Sequence, residues 1–138
     1  GWTMVHGVNW GAERHIGSSQ GTNACFEQGA LYLSEVALSF TYDQVTHSVF
    51  SALCKGKVIP KVEFHFCCAG KSLDPFMKLE LEDVVIGSHL TQAPHGGLPL
   101  EQMTLHCRQL TRLSTFADAN NVKKQVAVGY DAMRQVSL

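Results

Sequence analysis

Apolar and polar residues alternate with two different periods between Leu31 and Ala69, and this pattern predicts a strand, a helix and a second strand. The leucines before Ser34 occupy odd-numbered positions, whereas the large apolar residues after Glu35 occupy even-numbered positions. A strand through this stretch must therefore shift its phase by one residue, as at a β-bulge or a sharp bend. Regular alternation returns from Val58 to Cys68 and predicts the second strand.

The residues between these two strands predict a short amphipathic helix. An apolar stripe at helical spacing is formed by Val45, Val49 and Leu53. Asp43 or Thr46 can cap the start of the helix. Lys55 and Gly56 follow in the positions where a cation and a left-handed residue are expected at a helix C-terminus.

Alternation predicts further strands on both sides of this central segment. The stretch Trp2–Trp10 has a heavily aromatic face that we expect to line the core. A long bent strand is predicted over Met77–Ile86, with a phase shift after Glu82, and two more strands over Met103–Phe116 and Val122–Tyr130. About seven strands and one helix favour a mainly β fold, a small β-barrel of two curled antiparallel sheets with one short α-helix.

The periodicity disappears from Gly11 to Gly29, where Gly, Ser, Asn and Gln dominate. A hairpin turn typically needs only about 2 to 5 residues, so this connection is much longer than a turn. Loops of this kind are usually functional or disordered. The sequence therefore predicts a long irregular loop between the first two strands.

The length of 138 residues is typical of one domain. A chain of this size buries roughly two-thirds of its unfolded surface, so it can form a core without a metal or a disulfide. We therefore expect a single domain over residues 1–138.

The charge balance excludes several kinds of partner. Eleven Lys and Arg residues face twelve Asp and Glu residues, and no basic block marks a nucleic-acid arm or a membrane anchor. No apolar run approaches the about 20 residues that a spanning helix needs, and the N-terminus lacks the pattern of a signal peptide. We expect a soluble protein made in the cytoplasm, with no nucleic-acid partner and no membrane insertion.

The cysteines do not predict a disulfide framework. The chain contains Cys25, Cys54, Cys67, Cys68 and Cys107. Their number is odd and no CxxC spacing occurs, so we expect reduced and mostly buried thiols. His65 and Cys67 share a strand face and His106 lies on another strand, which leaves a metal site or a Cys–His nucleophile open.

Enzymatic chemistry has little support in the sequence. The signatures GxSxG, HExxH, GxxxxGK[ST] and GxGxxG are absent, as are paired zinc-ligand motifs. Glu80, Glu82 and Asp83 could supply a catalytic carboxylate pair, but Glu80 and Glu82 alternate with leucines, as on a solvated strand face or a subunit interface. We expect no catalytic residues, no cofactor and no bound metal.

Several segments together resemble one protein family. The central segments are Leu38-Ser39-Phe40, Gly56-Lys57, Pro60 and the strand Val62 to Cys68. The later ones are Leu81 to His89, Gly96-Gly97 and Gly129 to Asp131. In order and spacing they are similar to Hcp, the tube protein of the bacterial type VI secretion system, and the resemblance covers nearly the whole chain.

The resemblance implies a structural function. Hcp-like subunits form six-membered rings that stack into a hollow tube, which a contractile sheath expels and which carries or chaperones effectors. The implied partners are further copies of the chain and the sheath, spike and effector proteins. The implied location is the bacterial cytoplasm during assembly and the exterior afterwards, without a signal peptide. The alternatives are a tail-tube protein of a phage-like contractile particle, and a small β-barrel enzyme or metal-binding module that uses His65, Cys67 and His106.

The resemblance also assigns a function to the long loop. In the family the corresponding connection projects from the subunit and reaches the next ring. The implied ring-stacking residues are Gly17, Ser18, Ser19, Gln20, Gly21, Thr22, Asn23, Ala24, Cys25, Phe26, Glu27, Gln28 and Gly29.

The start of the chain carries one further expectation from the resemblance. Family members have a short strand and a Gly-containing turn before the segment that resembles Trp2 to Trp10. We therefore expect one edge strand to be missing from the chain as given, and the vacant edge to be covered by another segment or by a neighbouring subunit.

Overall fold

The computed structural model describes residues 2–18, 26–68, 75–117, 120, 122–134 and 136–138. The protein is mainly β with one helix, which confirms the predicted fold class. The elements are β1 (Gly7–Asn9), β2 (Ala12–Ser18), β3 (Phe26–Leu33), β4 (Val36–Thr41), α1 (Val45–Lys55), β5 (Ile59–Cys67), β6 (Pro75–Gln92), β7 (Leu100–Ala117), β8 (Lys123–Asp131) and β9 (Val136–Ser137).

The chain forms two compact units. The first unit comprises Gly1–Lys57 and Val85–His106, and the second comprises Val58–Val84 and Cys107–Leu138. The two longest strands, β6 and β7, each contribute residues to both units. The expectation of a single domain stays a prediction.

The first unit is built on β4, which pairs with β1 on one side and with β7 on the other. Val8, Leu38 and Met103 lie directly opposite one another across these three strands. Alternate residues of β4 are buried, as its period of two requires. The core of this unit consists of Val36, Leu38, Phe40, Ala52, Ile86 and Leu105.

The helix α1 belongs to the first unit and begins and ends close to the predicted positions. The Asp43 N–H donates to Thr46 Oγ1 (3.1 Å), although the residue that precedes the helix, Gln44, makes no side-chain cap. Gly56 is left-handed with φ of 62°, and the following N–H, of Lys57, donates to the Ala52 carbonyl, which confirms the predicted C-terminus. None of the helices in the described part of the chain is long and apolar enough to cross a membrane.

The second unit contains three antiparallel pairings among the described strands. In one, β5 runs beside β6, and in the other two β8 lies between β7 and β9. Its buried hydrophobic residues are Phe64, Leu79, Leu81 and Val84. Three of these four residues come from β6, so this strand supplies most of the core of the unit.

The predicted phase shift in β6 is confirmed at Asp83. Leu79 and Leu81 are buried before it and Val84 after it, so the buried parity changes at this point. Asp83 has φ of 52°, a left-handed conformation that Asp tolerates better than most residues. Arg108 holds it there through an ion pair of 3.0 Å to Asp83 Oδ2.

Two fold expectations were wrong. Only Gly7–Asn9 of the predicted N-terminal strand is a strand, and Trp2 and Met4 are 70% and 81% exposed. The reason is the end of β4. Gly7 pairs with Ser39, and β4 ends only two residues later at Thr41, so it does not extend beside the residues before Val5. In addition, the hydrogen-bonded strands of the described residues form an open path from β1 through β4, β7 and β6 to β5, so the sheet is not closed into a barrel.

We expect Gly129→Ala to destabilise the protein by about 1 to 3 kcal/mol. A Cβ at Gly129 would lie 2.8 Å from the Leu110 carbonyl oxygen, which is backbone and cannot move aside. The midpoint of urea unfolding measures the loss. Gly7→Ala is the matched control, because its Cβ would lie at an ordinary 3.7 Å from Ser39 Oγ. Equal effects of the two substitutions would contradict the close approach.

Candidate assembly surfaces

The strands β2 and β3 form a hairpin in the stretch that was expected to be irregular. They pair with each other and, among the described residues, with no further strand. The register shifts between Arg14 and Ile16, which breaks the alternation and explains why periodicity missed both strands. Arg14 Nη1 donates to the Gly29 carbonyl (2.7 Å) and ties the two strands together.

The strands of the hairpin contain six of the thirteen residues of the predicted ring-stacking loop. Gly17 and Ser18 end β2, and Phe26 to Gly29 begin β3, with Gly17 opposite Glu27 and Ser18 opposite Phe26. Residues 19–25, which include Cys25, lie outside the described residues. The expected irregular loop is therefore wrong for its ends, which are paired strands, and the stacking function stays a prediction.

A second surface lies at the edge of the first unit. The strand β1 pairs only with β4, so its other side is an edge among the described strands. An open depression of about 460 Å³ adjoins it, with apolar walls from Val8, Leu90 and Met103 and polar groups from Asn9 and Gln102. Because the depression is open and carries no ionisable side chain, it suits contact with another surface better than acid–base chemistry.

A buried polar cluster in the first unit was missed by sequence reasoning. Glu101 on β7 is fully buried, and its Oε2 accepts hydrogen bonds from His89 Nε2 (2.5 Å) and Thr91 Oγ1 (2.6 Å). The ring of Phe50 on α1 covers His89, with 5.9 Å between the ring centroids. The cluster therefore joins β6 to β7 beneath the helix.

The cluster is not fully satisfied by the described residues. His89 Nδ1 and Glu101 Oε1 are buried without a hydrogen-bond partner among them. Such atoms are commonly satisfied by a buried water. The register places Glu101 opposite Phe40, so the cluster interrupts an otherwise apolar core face, and only the pairing of distant strands could have revealed it.

The charged stripe on β5 and β6 is a surface network. Glu63 lies directly opposite Glu80, and Lys61 Nζ bridges the two carboxylates at 2.9 and 3.7 Å. The hydrogen bond from Lys61, with a second from His65, lowers the pKa of the Glu63 carboxyl, and the same two carboxylates raise the pKa of Lys61. The geometry fits a solvated strand face or an interface.

The residues of the alternative enzyme or metal module are engaged elsewhere. His65 Nε2 contacts Glu63 at 3.3 Å, and His106 Nε2 contacts Glu35 at 3.3 Å. Cys67 is exposed at the end of β5. In the described part of the chain, no three His, Cys, Asp or Glu side chains converge in a way that could hold a metal ion.

The thiols do not follow the expectation that most are buried. Of the described cysteines, Cys54, Cys67 and Cys68 are exposed, and none of them forms a disulfide with another described cysteine. Cys107 is half-buried, and the loss of solvation raises the pKa of its thiol to about 11.

Comparison with known proteins identifies the fold and the family. Residues 1–112 match the family model described as "Type VI secretion system effector, Hcp". A solved structure described as "Structure of a type six secretion system protein" aligns with a TM-score of 0.86 and 20% identity over 97% of this chain and 85% of that chain. No curated protein matches the chain significantly in sequence.

Two further solved structures are similar. Hcp1 from Salmonella typhimurium aligns with a TM-score of 0.78 and 14% identity, covering 99% of this chain and 84% of that chain. A type VI secretion system effector from Yersinia pestis aligns with a TM-score of 0.67 and 16% identity over 94% and 83% of the two chains. At these identities the likeness establishes the fold.

The fold is therefore the one found in solved type VI secretion proteins, mainly β with one helix. Because the family model matches 112 of the 138 residues, the chain belongs to the Hcp family of type VI secretion system proteins. This confirms the family inferred from the sequence segments around Phe40, Pro60 and Gly87.

We expect Glu101→Ala to destabilise the protein by about 3 to 5 kcal/mol, because removal of one partner leaves the buried His89 imidazole and the Thr91 hydroxyl without their acceptor. Urea unfolding measures the change. Glu35→Ala is the control, since its ion pair with His106 is half-exposed and is worth under about 1 kcal/mol. A similar decrease in the free energy of unfolding for both variants would contradict a larger contribution from the buried cluster.

We expect the Cys107 thiol to react with iodoacetamide at pH 8 at least about tenfold more slowly than Cys54, because the thiolate is the nucleophile and the raised pKa keeps Cys107 protonated. Peptide mass spectrometry over time measures both rates in one sample. The Cys107 rate should rise as the pH approaches 11, and urea should abolish the difference. Equal rates in the folded protein would contradict the raised pKa.

Proposed function

We propose that the chain is a structural tube subunit of a type VI secretion system. Copies assemble head-to-tail into closed rings, six-fold by family analogy, and the rings stack into a hollow tube that carries effectors. Residues 1–138 act as one tube domain, without catalysis. The single observation that carries this proposal, beyond family membership, is the number of large hydrophobic residues that the described part of the chain exposes.

The kind of exposed residue supports the same proposal. Among the described residues, ten hydrophobic residues are buried, whereas eighteen large hydrophobic residues are exposed. Single exposed apolar residues are ordinary, but this balance is typical of a surface that is covered in an assembly.

The strand edges support a ring in particular. In the described sheet, β1 and β5 each pair on one side only, and they lie at opposite ends of the strand path. An edge strand left bare invites uncontrolled association. Different edges on one chain favour head-to-tail contacts, and a rotation that closes such contacts covers both of these edges.

The β2–β3 hairpin is the proposed contact between stacked rings, over Gly17 to Gly29. The hairpin joins no other described strand, so its removal costs the rest of the sheet no pairing. Ile16 and Tyr32 are exposed on it and can pack against a neighbour. The sheath, the spike and the effectors are the proposed further partners, and the chain leaves the bacterium with the tube.

We expect the purified chain to form rings at six times the 15.1 kDa of one chain in mass photometry, and stacks in negative-stain micrographs. Replacement of residues 19–25 by Asn-Gly should keep the rings and their melting temperature but strongly reduce stacking. The reason is that a two-residue turn preserves the pairing of Ser18 with Phe26 while it removes seven of the thirteen residues of the proposed contact.

A seven-residue Gly-Ser replacement of the same stretch controls for loop length. Unchanged stacking in both variants would contradict the role of the hairpin. A wild-type chain that stays monomeric at micromolar concentration would contradict the tube function itself.

A further inference from the structure

One face of the β7–β8 hairpin in the second unit exposes large apolar side chains. Strand pairing sets Ser114 opposite Val126 and Arg112 opposite Val128, so these side chains share a face. Phe116, Val126 and Val128 are 59%, 49% and 57% exposed. We call this surface the hairpin face, and its members are Arg112, Ser114, Phe116, Lys124, Val126 and Val128.

An antiparallel sheet normally buries one of its two faces. The valines of β8 alternate along the strand as such burial requires. Full burial of a Val or Phe side chain contributes about 1.5 to 3 kcal/mol, of which much is unrealised here. The hairpin face therefore has the composition of an interface whose partner is another surface.

The charge of this region is opposite to that of the remaining chain. Residues 107–138 contain five Lys and Arg residues against two Asp and Glu residues, a net charge of +3. Residues 1–106 contain six against ten, a net charge of −4. One of the two acidic residues, Asp131, is buried and lies 3.6 Å from Arg108, so the exposed charge of the hairpin is predominantly positive.

Arg112 is an uncompensated cation on the hairpin face. It is exposed, and it forms no ion pair with any residue that the structure describes. It lies directly opposite Val128, so a positive charge adjoins the exposed apolar row. A partner that covers this row should bring a carboxylate to Arg112.

The same chain offers a surface of that kind on β5 and β6. Glu63, Glu80 and Glu82 lie on one face of these two strands, where Glu63 is opposite Glu80 and Lys61 is opposite Glu82. His65 and Lys78 are the next opposite pair on the same face. Lys61 Nζ contacts the carboxylates of Glu63 and Glu80, whereas Glu82 has no ion pair within 4 Å among the described residues. We call Glu63, Glu80 and Glu82 the acidic stripe.

We infer that the hairpin face of one copy docks on the acidic stripe of β5–β6 of a second copy. This inference rests on the proposed ring and adds a contact between two side-chain faces to the proposed contact between strand edges. The two surfaces are different patches of one chain, so the contact is heterologous and can repeat around a ring.

Pairing of two identical hairpin faces is disfavoured by charge. It would bring Arg112 and Lys124 of one copy against the same cations of the other, which opposes association. The acidic stripe instead offers carboxylates to these cations. In the proposed contact, Arg112 of one copy pairs with Glu82 of the other.

Charge reversal tests the contact. Arg112→Glu and Glu82→Arg should each shift the concentration at which rings dissociate upward by about tenfold or more in mass photometry, which corresponds to about 1.4 kcal/mol. The double variant Arg112→Glu/Glu82→Arg should restore assembly. The effect of each single variant should shrink at high salt, because the pair lies at a solvated rim.

Two controls separate the contact from net charge and from folding. Lys57→Glu combined with Glu82→Arg has the same net charge as the rescuing double variant, but Lys57 is outside the hairpin face, so this combination should not restore assembly. Val128→Ser should weaken assembly, whereas Leu98→Ser, at a loop residue that is also exposed, should not. All variants should keep the melting temperature of the wild-type monomer.

The outcomes distinguish the contact from the proposed function. The wild-type chain can form rings while the double variant Arg112→Glu/Glu82→Arg does not restore assembly, or while Val128→Ser leaves assembly unchanged. In either case another partner covers the hairpin face, so the inference is overturned and the tube function stands. If the wild-type chain forms no rings, both are overturned.

Discussion

The left-handed backbone at Asp83 is the constraint on which the longest strands depend. A period of two allows a strand to bury one set of positions only, yet β6 buries Leu79 and Leu81 and then Val84 and Ile86. One residue in an unusual conformation reconciles the two sets. Its carboxylate forms an ion pair with Arg108, which also contacts the buried Asp131. The segment Gly129 to Asp131, which resembles the family, therefore has a structural role. It supplies Asp131, the second carboxylate that Arg108 contacts.

Periodicity predicted the elements whose partners impose a regular pattern. The end of α1 at Gly56, the strand Val62 to Cys68 and the phase shift at Asp83 all follow from local sequence. The hairpin β2–β3 could not be found in this way, because its bulge at Arg14 breaks the alternation. The length of β1 was also inaccessible, since it is set by the end of β4 more than thirty residues away.

The candidate surfaces were predictable only in part. The resemblance pointed to Gly17–Gly29, but the buried Glu101 cluster depends on the juxtaposition of β6 and β7 and has no local signal. The alternation of Val126 and Val128 predicted a strand correctly, yet it also suggested burial, which the single chain does not provide. A pattern of apolar residues indicates that a face is buried. It does not show whether the face is buried in the core of a subunit or in a contact between subunits.

This ambiguity has a thermodynamic consequence for a subunit of this kind. Burial that is completed only in an assembly contributes nothing to the stability of the free chain, so stability and concentration become linked. The buried cores of the two units, centred on β4 and on β6, are nonetheless formed within one chain. In the proposed assembly the chain can therefore fold first and associate afterwards, and charge complementarity between distinct patches would then direct which surfaces meet without adding to the internal stability of the subunit. The proposed tube function benefits from this separation, because the folding of each subunit would not depend on the contacts between subunits.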